Sequence, residues 1–512
     1  MTDVRGSSVP NPPPVPPASK PGETEDARLA EFGYEQRLDR SVGTLASFAI
    51  GFATISATTA VFTGFGAGYF TAGGPFIWTL LLAGVVFAIW ACIAADLTAK
   101  IPLAGYSYQW ISRINSPNLG WFTGFIALMG WVCGMTGVGF ILSGYLGGVF
   151  GWNMSQTEQI LVAIGVVFVC VLINIYGVRF ATMVNNTGVA LELVITVIAT
   201  AVVAVLAFMA PENHQPLSVL FTPGGEAADG NTYMLAWLAA GLGPFFGLIG
   251  VESGADVAEE TKNARYVVPK TMFYALGTSV VVEFLMYAVY VLAIRDPEAV
   301  AANPAAPIEE IINQQAGPVV TKIVVAVALT NILACLLSNI LVGTRLTYSM
   351  ARDNMLPFSH VWRHVSERTK TPTFSVIGLG CLSTLLLLSA LVNEQAFNYI
   401  LGIASLLFFF VYILQTIGLL IGYFRGTIPQ GEPGTFDLGR LRLPIYIVAL
   451  VVFLSVAVAL VFLPQFASNK WVFLGIVVLA AIWWAVGIRP RLRRHEAGPD
   501  FARSHPASQH ND

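Results

Sequence analysis

The chain has 512 residues, 55% of them hydrophobic and only 11% charged, whereas a soluble domain carries about 25% charged residues. Its net charge of −3 gives no sign of a nucleic-acid partner. Apolar runs of about 20 residues recur along it, each long enough to cross a hydrocarbon core about 30 Å thick, so composition excludes a soluble enzyme and predicts an all-α polytopic protein in a lipid bilayer.

The first 44 residues are polar and hold six prolines between Pro10 and Pro17. This predicts a disordered tail with no secretory signal peptide. Twelve spans are then predicted at 45–70, 75–99, 119–146, 159–176, 186–210, 233–260, 268–294, 319–344, 373–391, 397–423, 443–463 and 471–488. Of the 27 Lys and Arg, 24 fall on one side of the bilayer when both termini are cytoplasmic, and three on the other. The positive-inside rule therefore predicts that orientation, in the cytoplasmic membrane. The expected organisation is a tail at 1–44, a ten-helix core at 45–423, two further spans at 424–488 and a basic tail at 489–512.

The longest outer loops, 211–232 and 295–318, are too short for a catalytic domain. The sequence shows no nucleotide-binding loop, no metal-ligand cluster and no Ser/His/Asp arrangement, so neither an enzyme nor a cofactor is expected. Cys92, Cys133, Cys170, Cys335 and Cys381 all fall in apolar runs. They read as buried small hydrophobes rather than disulfides.

Two spans look broken. In span 1, Thr54 to Thr59 concentrates small and hydroxylated residues, which bond locally to the backbone and favour an opened helix. Gly64, Gly66 and Gly68 are expected to weaken it again further on. Close packing through small residues would explain span 1 equally well on its own. Span 6, however, is interrupted by Gly247 and Gly250 and meets Glu252 where hydrocarbon should continue. Unpaired backbone and buried charge are both costly there, and chains keep them where they line a cavity. Interruptions five spans apart are what an inverted repeat predicts, with a binding site between them. Backbone N–H groups around Ser56, Ala57, Thr58, Thr59 and Ala60 could hold a carboxylate. Carbonyls around Phe245, Phe246 and Gly247, with Gly250 beyond, could accept bonds from an ammonium.

At this point the chain resembles the amino acid–polyamine–organocation permeases, most closely the amino acid, choline and GABA permease branch. Three motifs carry the resemblance, which covers residues 45–488. They are Pro102-Leu103-Ala104-Gly105-Tyr106-Ser107-Tyr108; Gly250-Val251-Glu252-Ser253 with Glu259-Glu260-Thr261-Lys262-Asn263-Ala264-Arg265 and Pro269; and Arg345 with Tyr348, Ala351-Arg352-Asp353 and Leu356-Pro357. The resemblance implies a five-plus-five inverted repeat plus two C-terminal helices, with spans 1 and 6 discontinuous. It implies alternating access by rocking of spans 1, 2, 6 and 7 against spans 3, 4, 8 and 9. Carried over by position, Ser56 to Ala60 would face the substrate carboxylate and Phe246 would be an aromatic lid. Glu252 would be the span 6 carboxylate that some relatives use in proton sensing. The family's glycine-rich pattern in span 1 is absent here, since Ser56-Ala57-Thr58-Thr59-Ala60 contains no glycine.

Three glutamates fall inside apolar spans: Glu192, Glu252 and Glu283. Intramembrane acids are functional suspects by default. Glu283 is expected to be a satisfied contact between helices, because no break or partner points to it. Glu252, Asp256, Glu259 and Glu260 recur at helical spacing, and part of that stripe is expected to be a solvated helix end. Glu192 lies where several relatives carry a lysine in place of bound sodium. It is expected to take up a proton or to help bind a cation near Ser338, while Asn331, Ser338 and Asn339 are candidates for selectivity.

The reading is a secondary transporter, monomeric or homodimeric, that imports an amino acid or a related amine such as GABA with a coupling proton or sodium ion. An obligate exchanger of amino acids or polyamines on the same fold is the alternative.

Overall fold

The computed structural model describes residues 21–225, 232–304, 306–392, 396–462 and 469–504. The expectations for 1–20 and 505–512 lie outside them. Helices that are apolar on every face satisfy their backbone internally and can meet lipid directly. Eleven helices among the described residues are long and apolar enough to cross a membrane. Spans 1 to 5 are Thr44–Ala72, Gly74–Lys100, Pro117–Phe150, Gln156–Ile175 and Arg179–Phe208. Spans 7 to 12 are Ala264–Leu292, Pro307–Arg352, Thr373–Leu391, Gly402–Arg425, Gly439–Phe462 and Asn469–Arg493. Span 6 completes the set. It is helical over Tyr233–Gly247, passes through turns, and resumes only as a short helix at Ser253–Asp256 and a 3-10 turn at Ala258–Glu260.

Large apolar side chains such as Val205, Leu385, Val451 and Leu479 are exposed around the outside. That surface fits lipid and not water. The molecule is a multi-pass membrane protein.

Several local expectations change. Span 1 breaks once, at Ser56, whose φ of 47° and ψ of 84° separate span 1a (Thr44–Ile55) from span 1b (Ala57–Ala72). Span 1b does not weaken again at Gly64 or Gly68, because those glycines serve close packing. A Cβ at Gly64 would lie 3.1 Å from the Gly243 Cα, and one at Gly68 would lie 2.3 Å from the Phe76 ring. Span 8 is longer than expected and bends at Gly317, where φ is 78°. Cys381 is exposed and Cys92 half-exposed, so burial holds only for Cys133, Cys170 and Cys335.

The N-terminal tail is shorter than the predicted 1–44. Residues Pro21–Glu31 form a helix, and Tyr34, Leu38 and Val42 are buried against the core. A polar sequence folds here because the bundle offers it partners. Val42 N–H bonds Glu260 O at 2.9 Å, and Lys262 N–H returns the bond to Val42 O at 2.9 Å. The tail predicted to begin at 489 also starts folded: Gly498 N–H reaches Asp353 O at 2.8 Å. Tyr34 donates its hydroxyl to the Asp353 carboxylate at 2.8 Å. The segments that precede span 1 and follow span 12 thus close on one end of the bundle.

Candidate functional site

Broken spans 1 and 6 lie side by side. The contact depends on two glycines of span 6. Gly247 passes so close to span 1b that an added Cβ would fall 2.4 Å from Ala60 Cβ. Gly250 has a φ of 96°, and a Cβ there would meet Thr54 Cγ2 at 2.6 Å. Side chains cannot occupy either position without moving a backbone, so the two breaks are held at one level.

A cavity opens there. Thr54, Ile55, Thr59 and Ala60 of span 1 line it, with Phe246, Gly247 and Ile249 of span 6. Trp131 of span 3, Cys335 and Asn339 of span 8, and Phe408 of span 10 close the far side. Among the described residues no charged side chain lines it. Trp131 meets Phe408 edge to face at 4.8 Å, and its buried indole N–H finds no partner among the described residues.

The predicted site residues divide. Thr59, Ala60, Phe246 and Gly247 line the cavity. Phe245 turns away and packs near Phe87 and Phe409 at 6.4 and 6.1 Å. The N–H groups expected to hold a substrate carboxylate are partly taken by the protein. Thr59 N–H donates to Ser56 Oγ at 3.4 Å and Ala60 N–H to Ser56 O at 3.0 Å. Thr58 N–H donates to Glu192 Oε1 at 3.1 Å, while Ala57 lies at the start of span 1b, fully buried. An opened helix leaves donors that some acceptor must satisfy. Here a hydroxyl and a carboxylate do part of that work.

Glu192 opens a π-helical turn, Glu192–Thr196, within span 5. Such turns often mark functional positions. This one brings Thr196 Oγ1 to 3.2 Å from Thr58 Oγ1, which also accepts from Asn331 at 3.3 Å. Ser338 bonds Asn185 Oδ1 at 2.9 Å, and no bond joins it to Glu192 among the described residues. Asn339 donates to Cys335 O at 2.8 Å.

Below the span 6 break, Glu252 is fully buried and accepts from Tyr412 at 3.0 Å. Its second oxygen and both oxygens of Asp256 make no hydrogen bond of normal geometry among the described residues. The rest of the acidic stripe is not the solvated helix end the sequence suggested. Glu259 and Glu260 are buried, because each finds an arginine from span 8. Arg352 binds Glu259 through two bonds of 3.0 and 2.8 Å, and Arg345 binds Glu260 at 2.9 and 2.7 Å. Ala104 N–H adds a bond to Glu259 at 3.0 Å, and Tyr108 donates to Asp353 at 2.7 Å. The three motifs quoted from the sequence therefore meet at the end closed by the segments before span 1 and after span 12. Tyr34 stacks under Arg352 at 3.5 Å, and burial pushes its hydroxyl above the usual tyrosine range.

Comparison with known proteins accounts for this architecture. The family model described as amino acid permease matches residues 42–485. The chain belongs to that family. Membership accords with the polytopic all-helical fold described above, and it places the chain among transporters rather than enzymes. Amino-acid permease 2 of Neurospora crassa is 23% identical over 491 residues, covering 91% of this chain and 88% of its own length. The amino-acid permease BAT1 homolog of Oryza sativa subsp. japonica is 25% identical over 451 residues, with 82% and 84% covered. The thiamine transporter thi9 of Schizosaccharomyces pombe is 23% identical over 479 residues, with 84% and 78% covered.

Trp131 and Phe408 went unnoticed in the sequence, and Cys335 was read only as a buried small hydrophobe. Each sits in a span apolar on every face, where periodicity does not mark the side that lines a cavity. Small residues flanking Trp131, at Gly130 and Gly134, were the one available signal.

Proposed function

We propose that this permease imports an amino acid or a small amine-bearing relative across the cytoplasmic membrane, driven by protons. One observation carries the reading: an uncharged cavity at two adjacent helix breaks, with buried carboxylates at Glu192 and Glu252 beside it. A zwitterion suits such a cavity. Its carboxylate meets the start of span 1b and its ammonium the carbonyls past Phe246, so no lysine or arginine is required. The relatives named for amino acids support an amino acid, and the one named for thiamine keeps other amine-bearing cargo within reach of the fold.

In this reading, both termini are cytoplasmic, as the lysine and arginine distribution favours. The paired end of the bundle is then a closed inner gate. The core runs over 45–423, and the two spans beyond it stand outside the transport path. Substrate entering from outside shifts the population toward occluded and then inward-open states. Glu192 and Glu252 are the coupling groups, since an acid that touches a helix break changes its charge where the break changes shape. Ser338 holds span 5 through Asn185.

Thermal-shift measurements against amino acids, GABA, choline and polyamines identify the ligand. A ligand at 100 times its dissociation constant adds about 2.7 kcal/mol. Uptake of that ligand into vesicles under an imposed proton gradient is the decisive assay. Accumulation with gradient and no internal substrate supports import. Transport that needs internal substrate and ignores the gradient identifies an obligate exchanger and overturns the reading. E192Q that accumulates substrate with unchanged pH and sodium dependence removes Glu192 from coupling.

A further inference from the structure

Span 7 buries Ser279, Glu283 and Tyr287 at successive steps of four residues, which puts them on one helix face. That face looks at the two breaks. Tyr287 donates its hydroxyl to Ala60 O at 3.1 Å. A Cβ built on Gly247 would lie 3.4 Å from Glu283 Oε2, so the missing side chain lets the carboxylate approach the span 6 backbone. Both Glu283 oxygens and Ser279 Oγ are buried and find no partner among the described residues. Glu283 is therefore not the satisfied interhelical contact expected from the sequence.

The surroundings supply no counter-charge. The titratable groups facing Glu283 are Tyr287 of its own helix and Glu192 of span 5. Span 1 presents Ala60, and span 6 presents Gly247. On span 2, Asp96 and Lys100 are bound to each other, and Asp96 also pairs with Arg442 of span 11 at 3.4 Å. A bare buried carboxylate costs several kcal/mol unless a proton or cation neutralises it. Buried polar atoms left without partners are where an ion or water belongs.

We propose that Glu283 and Ser279 form an ion site inside the moving bundle, holding one small monovalent cation, a proton or Na⁺, against the span 6 break. With the ion in place Glu283 is neutralised and the Gly247–Ala60 contact stays closed. When the ion leaves, Glu283 and Glu192 present like charges to the first turn of span 1b from two sides, which favours opening it. The coupling role rests on the transport reading above, but occupancy of the site does not.

The test therefore uses purified protein without substrate. Unfolding temperatures are measured in NaCl and in KCl between about pH 5 and pH 8. A proton site gives a midpoint that falls as pH rises, equally in both salts. A sodium site gives a higher midpoint in NaCl than in KCl at the alkaline end. In E283Q that response should be lost or sharply reduced, and in S279A it should be weakened. A wild type insensitive to both ions, or E283Q with the full wild-type response, overturns the proposal. If E283Q does not fold, S279A carries the comparison alone, and an unchanged response there overturns the site as drawn. Because no substrate enters, failure here is separate from failure of the uptake assay.

Discussion

Two groups of acids in this protein are equally buried and built to opposite ends. At the end closed by the segments before span 1 and after span 12, Glu259 and Glu260 each face an arginine of span 8 through two hydrogen bonds. Around the helix breaks, Glu192, Glu252 and Glu283 each keep at least one oxygen without a hydrogen bond among the described residues, and no described Lys or Arg pairs with them. Burial alone therefore does not tell a paired acid from an unpaired one. A paired acid holds a fixed charge and locks its helices. An unpaired buried acid is stabilised by taking up a proton or an ion, which is the property that the coupling proposed above needs.

The largest expected effect breaks the paired group. E260Q leaves Arg345 buried and unpaired, which should cost about 3–5 kcal/mol in denaturant unfolding. Replacing both partners with leucine should cost much less, and equal losses in the single and double variants would show that the pair is not the source. The unpaired group should behave in the opposite way: E252Q and E283Q should match or exceed wild-type stability while changing ion dependence. A large stability loss in either would mean that it, too, is a structural partner.

Smaller effects probe the level at which the breaks meet. G247A forces a Cβ into Ala60 and should cost about 1–3 kcal/mol, as overpacking does. Combining it with A60G should restore thermal stability and transport together. S56A removes the hydroxyl that caps span 1b and should cost about 1 kcal/mol, measurable as a lower unfolding midpoint. The smallest effect is at exposed Glu158, at the start of span 4. The Ser155 N–H and hydroxyl both donate to its carboxylate, and the Glu158 N–H returns a bond to Ser155 Oγ, closing a capping box. E158Q should therefore lower the unfolding midpoint only slightly, and an unchanged midpoint would show that the box adds nothing to span 4.

The breaks and the motifs were readable in the chain, but their partners were not. Clustered Ser and Thr in span 1 and glycines in span 6 marked where the helices open, because those residues act through local backbone physics. The arginines of span 8 and the glutamates after span 6 were visible as motifs, yet nothing in their separation of some 85–93 residues paired them. Glu283 was misjudged for the same reason: its neighbour across the bundle is Gly247, which has no side chain to suggest a contact. Phe245 and Phe246 were not told apart by local backbone physics, and only the family resemblance singled out Phe246; rotation about the helix axis sends Phe246 and not Phe245 into the cavity.

The sequence by itself determined that this is a twelve-span membrane protein with two broken helices, and its order of motifs pointed to the family. Hydrocarbon imposes those features locally, through run length, backbone satisfaction and the placing of charge. Only the tertiary structure decided which acids are paired, which donors of the opened helix are already occupied, and which aromatic rings line the cavity. Those depend on how helices apolar on every face are rotated against one another, and periodicity carries no record of that rotation.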